Sequence, residues 1–150
     1  MAPRTKAQTA ALLASPDDVE AQFYEALQQG DLDKLMAVWS DDDEIACVHP
    51  GGPRLVGAAE IRASFEAIFA NGAIPLQPQG VRRLLSLGSA VHHVVERVTL
   101  ADDKGERSAW VLSTNVYLKT AQGWRMVAHH ASPATDRAEP ASGDAPATLH

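Results

Sequence analysis

The chain has 150 residues, 45% of them hydrophobic, and this length predicts one domain that buries about 70% of its unfolded surface. Its 13 basic and 19 acidic residues give a formal net charge of −6, and no basic run exceeds Arg82-Arg83, which argues against nucleic-acid binding. A single cysteine, Cys47, excludes an internal disulfide, and no stretch is apolar enough for a signal peptide or a membrane helix, so we expect a cytoplasmic protein.

The first half of the chain predicts three helices. Ser15-Pro16-Asp17-Asp18 combines a capping serine, a proline suited to the first helical turn and two acids at the positive end of the helix dipole. Gly30 ends this helix, and Asp31 caps a second one. A short strand is expected at 45–48. A third helix is then predicted by apolar residues at positions i, i+4, i+7 and i+8, which are Ile61, Phe65, Ile68 and Phe69.

From Ile74 onward the hydrophobic pattern is that of strands. Runs at 81–87, 90–100, 108–119 and 124–130 are rich in β-formers, and the turns at 102–105 and 120–123 are typical of hairpins. Helices followed by an antiparallel meander predict an α+β fold with the helices covering one face of the sheet. We expect a domain over 15–133, a flexible N-terminus at 1–14, and a disordered tail at 134–150, which is rich in Pro, Ala and small polar residues.

Several motifs together carry a family resemblance. The turn "GDLD", the segment "HPGG" with the following helix "LVGAAEIRASFEAIF", and the closing "GWRMVAHHASP" resemble the NTF2-like superfamily. Within it, the chain is most similar to SnoaL-like and ketosteroid-isomerase-like proteins over about residues 16–133. The resemblance implies a cone in which three N-terminal helices pack on a curved, mostly antiparallel sheet around a deep apolar pocket, commonly as a homodimer. Because the superfamily includes isomerases, cyclases, dehydratases, hydrolases and non-catalytic binders, the fold does not fix an activity.

The resemblance to ketosteroid isomerases does not extend to their catalytic side chains. The isomerase's proton-shuttling aspartate corresponds to His49 here. Its phenol donor on the first helix corresponds to Phe23, one residue before Tyr24. Its second oxyanion donor corresponds to Thr114, or to Asn115 if the register slips by one. Since none of the three residue types is retained, the sequence does not support steroid isomerisation by that mechanism.

His49 is a candidate catalytic residue within "CVHPGG". An imidazole can act as a general base near neutral pH, and the resemblance places this one at the pocket. The same segment is also explained as a plain turn, because Pro50 fixes φ and the two glycines permit positive φ. Both interpretations remain open.

The other two candidate catalytic residues are His130 and Glu96. Alternate residues of a strand face opposite sides, so only one of His129 and His130 reaches the interior, and the family register favours His130. Glu96 interrupts an apolar run. Inside a cavity its pKa would rise and it could work with a histidine, whereas on the outer face it would be a solvated carboxylate near Arg97 or Arg107.

The remaining expectations concern the pocket wall and cofactors. No phosphate-binding glycine loop or serine elbow occurs, and we expect no cofactor and no metal. A metal site would have to be assembled from His49, His130 and Glu96. The residues expected to contact a ligand are Phe23, Trp39, Phe65, Phe69, Trp110, Thr114, Asn115 and Ala128.

Three hypotheses for the function follow. The first is a pocket for a small apolar or amphipathic molecule, with cofactor-independent acid–base catalysis such as isomerisation, cyclisation, dehydration or hydrolysis. The second is a binding module without catalysis. The third is an association module that uses the sheet's outer face as a dimer or partner surface, which would require exposed apolar residues such as Val111 and Tyr117 on that face.

Overall fold

The computed structural model of the chain describes residues 13–134. Within this part the chain forms three helices followed, with two short strands between the second and third, by a four-strand meander. This is the predicted α+β architecture. The elements are α1 (Pro16–Gln29), α2 (Leu32–Met36), β1 (Ala46–Val48), β2 (Arg54–Val56), α3 (Ala58–Phe69), β3 (Leu76–Leu85), β4 (Ser89–Asp102), β5 (Gly105–Thr120) and β6 (Gly123–Pro133).

Helix α1 begins and ends where the sequence predicts. The Ser15 hydroxyl accepts a hydrogen bond from the Asp18 N–H at 3.1 Å, which satisfies one free donor of the first turn. At the other end, Gly30 adopts a left-handed conformation with φ of 66°, and the Asp31 N–H reaches back to the Ala26 carbonyl. The Asp31 side chain then caps α2 by accepting from the Lys34 N–H.

The six strands form one sheet in the order β2-β1-β6-β5-β4-β3. All neighbours are antiparallel except β1 and β6, which run parallel. The helices pack on one face, called the inner face here, and the opposite face is the outer face. The hydrophobic core lies between the helices and the inner face, and its largest fully buried side chains include Phe23, Phe65, Leu35, Ile45, Tyr117 and Met126.

Strand β6 contains a β-bulge that reverses its alternation. Tyr117 of β5 pairs with Met126, but the next residue, Val116, pairs with Ala128, so Val127 is an extra residue. Met126 is therefore buried opposite Tyr117, and His129 is buried opposite Asn115. Strict alternation from Met126 would have put His129 outside.

The short strand β2 has no counterpart among the predicted strands. It consists of only three residues, Arg54–Val56, and exists because it pairs with β1 across the turn that contains Gly51. The predicted flexible segment at 1–14 and disordered tail at 134–150 lie outside the described residues, except at their inner ends. Leu13 is 1% exposed and its carbonyl accepts from the Trp124 N–H, so the packed domain includes it.

Candidate functional site

A chain of buried polar side chains crosses the inner face of the sheet. The Tyr24 hydroxyl of α1 donates to Glu96 Oε2 of β4 at 2.7 Å, and Asn115 Nδ2 of β5 donates to the Tyr24 hydroxyl at 3.0 Å. Asn115 Oδ1 lies 2.6 Å from Nδ1 of His129 on β6. Ser113 completes the set by donating to Glu96 Oε2 at 2.7 Å. For Glu96 the sequence left an inward and an outward position open, and the structure shows the inward one. Asn115, the alternative to Thr114 if the register slips by one residue, also lies inward.

The hydrogen-bond directions along this polar chain are mutually consistent. Because Asn115 donates through its amide nitrogen to Tyr24, its oxygen is left to accept from His129 Nδ1–H. His129 Nε2 therefore carries a lone pair rather than a proton in the neutral ring. At the other end, both described hydrogen bonds to Glu96 go to Oε2. Among residues 13–134, no hydrogen bond is described for His129 Nε2 or Glu96 Oε1.

Burial controls the protonation of both ends. Desolvation lowers the pKa of His129 to about 3, with His49 and His130 adding smaller contributions in the same direction, so this imidazole is neutral at physiological pH. Desolvation also raises the pKa of Glu96, although the hydrogen bonds from Ser113 and Tyr24 oppose the shift. Tyr24 has a pKa raised well above that of an ordinary phenol, first by burial and then by the Glu96 charge, and stays a hydrogen-bond donor.

Aromatic rings surround the His129 end of the chain. The Phe23 ring lies 4.9 Å from the His129 ring and 6.3 Å from Phe65, centroid to centroid, and Phe65 in turn contacts Phe69 at 6.0 Å. The aromatic wall beside the His129 imidazole therefore consists of Phe23, Phe65 and Phe69, three of the residues expected at a pocket wall. Trp39 is also buried, and its indole N–H has no hydrogen-bond partner among residues 13–134.

His49 is half-buried at the end of β1, where its motif forms a turn, and its catalytic role stays a prediction. The Gly52 N–H donates to the His49 carbonyl at 2.8 Å and Gly51 has φ of 75°, so the segment is a turn. The imidazole itself points toward α3, where Nε2 lies 3.0 Å from the Ser64 hydroxyl and the ring packs edge-on against Phe65. Burial lowers the pKa of His49.

A second buried polar cluster ties α1 to the sheet. His92 Nδ1 lies 2.7 Å from Glu20 Oε2, which also accepts from the Tyr117 hydroxyl at 2.8 Å. Arg83 and Asp17 form an exposed ion pair at its edge. Both described hydrogen bonds of Glu20 join α1 to strands β4 and β5, so we assign this cluster to holding α1 in place.

Four of the expected site residues lie on the outer face instead. His130 was expected inward, but the bulge at Val127 turns His129 inward and leaves His130 exposed. Ala128 faces outward for the same reason. Thr114 alternates with the buried Ser113 and Asn115, and its hydroxyl lies 3.2 Å from His93 Nδ1. Trp110 lies under the Arg97 guanidinium, whose Cζ is 5.7 Å from the ring centroid.

Sequence reasoning missed several residues of the polar clusters. Tyr24 was passed over as one residue out of the isomerase register, although it lies four residues after Glu20 on the buried face of α1. Ser113 and His129 have no signal of their own, because serine and histidine are common on both faces of a sheet. The pairing between strands, which decides their role, depends on the bulge.

No metal centre is found in the described part of the chain. Between residues 13 and 134, no group of three or more His, Cys, Asp or Glu side chains is arranged to hold an ion. His49, His130 and Glu96 do not converge, since His130 lies on the opposite face of the sheet from Glu96. Cys47 is fully buried, and desolvation raises the pKa of its thiol to about 12. Nor does any helix in this range have the length and apolarity to span a bilayer.

Comparison with known proteins identifies the family. The model of the SnoaL-like domain matches residues 17–136, so the chain belongs to the SnoaL-like family of NTF2-like proteins. No curated protein sequence matches the chain.

Solved structures agree with this assignment. The chain is 39% identical to a Thiobacillus denitrificans protein provisionally described as a calcium/calmodulin-dependent protein kinase type II association domain, with a TM-score of 0.75 over 82% of this chain and 98% of that one. It is 30% identical to an NTF2-like protein of Streptomyces avermitilis provisionally described as a dehydratase, with a TM-score of 0.69 over 77% of this chain and 91% of that one. The S. rosetta CaMKII hub shares the fold at 20% identity, with a TM-score of 0.63 over 89% of this chain and 100% of that one.

Proposed function

We propose that this protein binds a small, mostly apolar molecule at the inner face of the sheet, between Glu96 and His129. The observation that carries the proposal is that a buried polar chain ends in two atoms, Glu96 Oε1 and His129 Nε2, for which the described part of the protein supplies no partner. Among residues 13–134, the one fully enclosed side-chain polar atom without a partner is the Trp39 indole N–H, so these two atoms are not sealed within the core and remain accessible to a ligand.

The chemistry of the two atoms defines the ligand class. His129 Nε2 can only accept, because the proton of the neutral ring is on Nδ1. Glu96 Oε1 accepts when the carboxylate is ionised and donates when it is protonated, and its raised pKa favours the second state more than usual. With Phe23 and Phe65 beside His129, the best match is an aromatic or aliphatic molecule that carries a hydroxyl group.

Acid–base turnover is the further step of this proposal. Glu96 is the group suited to move a proton, since a carboxyl with a raised pKa can both give and take one closer to neutral pH. His129, with a pKa of about 3, is too weak a base and would orient the ligand instead. The provisional description of the Streptomyces relative as a dehydratase supports such chemistry on this fold.

The binding test uses Glu96→Gln. Thermal unfolding is measured with a panel of phenols, naphthols and fatty alcohols, and a compound at a hundred times its Kd should add about 2.7 kcal/mol to the unfolding free energy. The glutamine can still accept from Tyr24 and Ser113, so we expect it to fold. Its amide nitrogen can neither accept a hydrogen bond from the ligand nor exchange a proton with it as the carboxyl can, so we expect this stabilisation to be lost. Glu106→Gln, which removes an exposed carboxylate from β5, is the matched control and should respond like the wild type.

Mass spectrometry of each stabilising compound before and after incubation then separates turnover from binding. A chemical change that Glu96→Gln abolishes supports catalysis, and an unchanged compound supports the binding module. The proposal is overturned if no compound stabilises the wild type, or if Glu96→Gln responds as strongly as Glu106→Gln.

A second candidate function, self-association, is supported by the outer face. Leucines there are well exposed, including Leu84 at 67% and Leu118 at 41%. They replace Val111 and Tyr117 as the apolar residues of that face, because Tyr117 is fully buried against α1. The description of the Thiobacillus relative as an association domain supports a homodimer whose second copy covers these leucines.

A further inference from the structure

The outer face of the sheet carries a cross-strand row of polar and basic residues. Arg82 of β3 pairs with His93 of β4, His93 pairs with Thr114 of β5, and Thr114 pairs with His130 of β6. Residues directly opposite on neighbouring antiparallel strands bring their side chains within about 5 Å of each other on one face. Three potential cations therefore stand in line across four strands.

This row lines a groove of about 410 Å³. The groove is open to solvent on the side away from the helices, and Ser132 and Leu112 complete its polar and apolar walls. Beside it, β3 has a bulge between Gln79 and Arg82, where Gly80 takes φ of 52°. A bulge bends its strand, and here it lies at the rim of the groove.

The charge of the groove is opposite to that of the whole chain. The formal net charge is −6, yet none of the ten described lining residues is an aspartate or a glutamate. Arg83, one residue along, pairs with Asp17, and Arg62 pairs with Asp33. No ion pair is described for Arg82 within residues 13–134, so its guanidinium is available to a ligand.

Local hydrogen bonding leaves suitable donors in the groove. The Thr114 hydroxyl engages His93 through Nδ1 at 3.2 Å, which leaves Nε2 for a ligand. His130 makes no described hydrogen bond, and the Ser132 hydroxyl is exposed beside it. Guanidinium, imidazole and hydroxyl groups together are the usual partners of a carboxylate or phosphate.

We propose that this groove is a second binding site, which holds the oxyanion group of a small organic molecule between Arg82, His93 and His130. The exposed side chain of Leu112 lies against the apolar part of that molecule. The site lies on the opposite face of the sheet from Glu96 and His129, so it does not depend on binding at the inner face.

The test is a titration of the full chain with inorganic phosphate, phenyl phosphate and benzoate, followed by amide chemical shifts at constant ionic strength. Saturable shifts should cluster on the amides of Arg82, His93, Thr114 and His130. Arg82→Gln should weaken binding about tenfold, because a charge-assisted bond is lost, and His93→Gln or His130→Gln severalfold. Phenyl phosphate binding more tightly than inorganic phosphate would support the contact with Leu112.

Arg83→Gln is the matched control. It removes the same charge one residue away on the inward-facing side of β3, and it should leave the affinity unchanged.

Three outcomes would overturn the inference: no saturable shift with any of the three anions, equal weakening by Arg82→Gln and Arg83→Gln, or shifts that map to the inner face. The Glu96→Gln variant should bind these anions like the wild type, so that failure here and failure of the inner-face proposal are distinguishable. Sedimentation of the same samples shows whether the anion changes the oligomeric state.

Discussion

At the scale of single residues, the protein keeps a histidine and a carboxyl group in one desolvated polar chain with opposite responses to pH. His129 has a folded-state pKa of about 3, against 6.5 for an ordinary histidine, so between these values the folded state binds fewer protons than the unfolded state. Glu96 has a raised pKa, so its contribution to stability is lost as the pH rises above its ordinary value. In the wild type, the contributions of His129 and Glu96 to the pH dependence of the unfolding free energy therefore partly cancel.

We predict that His129→Asn flattens the acid limb of the stability curve. In the wild type, the unfolding free energy should fall as the pH is lowered from about 6.5 toward about 3, by up to about 1.4 kcal/mol per pH unit from His129 alone. Asparagine does not titrate there and can still donate to Asn115 Oδ1. Urea unfolding at a series of pH values measures the slope.

His130→Asn is the control for this experiment. The neighbouring histidine lies on the exposed outer face and is not part of the buried polar chain, so this variant removes an imidazole without changing the interior. Equal slopes for His129→Asn and the wild type would contradict the assignment of His129 to the interior.

Part of the site could be predicted at this scale. Glu96 was a candidate because a carboxylate in an apolar strand must be either paired inside or solvated outside, and the structure selects the first alternative through Tyr24 and Ser113. Phe23 and Phe65 were predicted at the pocket wall from the resemblance to the superfamily, whereas helical periodicity predicted only the helices that carry them. The partners of these residues come from other strands, and a single sequence does not give the pairing of strands.

At the scale of elements, helix ends and hairpin turns follow from local chemistry, whereas the face of each strand residue does not. Ser15 and Gly30 were predicted as the ends of α1, and both hold those positions. His130 was wrongly placed inward because one extra residue, Val127, shifts the phase of β6. A bulge is fixed by the partner strand and leaves no local pattern in the sequence.

We predict that Gly30→Ala destabilises the protein by about 1–2 kcal/mol, because an alanine at φ of 66° brings its Cβ too close to its own backbone. The new Cβ would also lie 3.4 Å from the Ala73 Cα, an ordinary contact that adds little. Gly88→Ala is the control, because Gly88 has no positive φ and no neighbour within 4 Å of an added Cβ. Thermal or urea unfolding should show a loss for the first variant and none for the second.

At the scale of the whole molecule, the two faces of one sheet have separate chemistries. The inner face supports α1 and the buried polar chain. The outer face has a polar row and, one row away, an apolar row that runs through all six strands. The members of this apolar row are Leu84, Val91, Val116, Ala128, Ala46 and Val56.

We predict that the protein is a dimer at micromolar concentration and that Leu84→Glu combined with Leu118→Glu makes it a monomer. Burial of two carboxylates at the proposed dimer contact would cost more free energy than burial of the two leucines contributes to association. Light scattering measures the mass, and circular dichroism checks that the variant is folded. Leu100→Glu, an exposed leucine near the far end of β4, should remain a dimer. A monomeric wild type would contradict the prediction.

The stacking of Arg97 on Trp110 gives the protein an optical reporter of its outer surface. Trp39 and Trp124 are 5% and 7% exposed, whereas the indole of Trp110 is only partly covered. Iodide in solution therefore quenches mainly the emission of Trp110. Any molecule or second copy that covers this end of the sheet changes that quenching, and it can be followed in the unlabelled, unmodified protein.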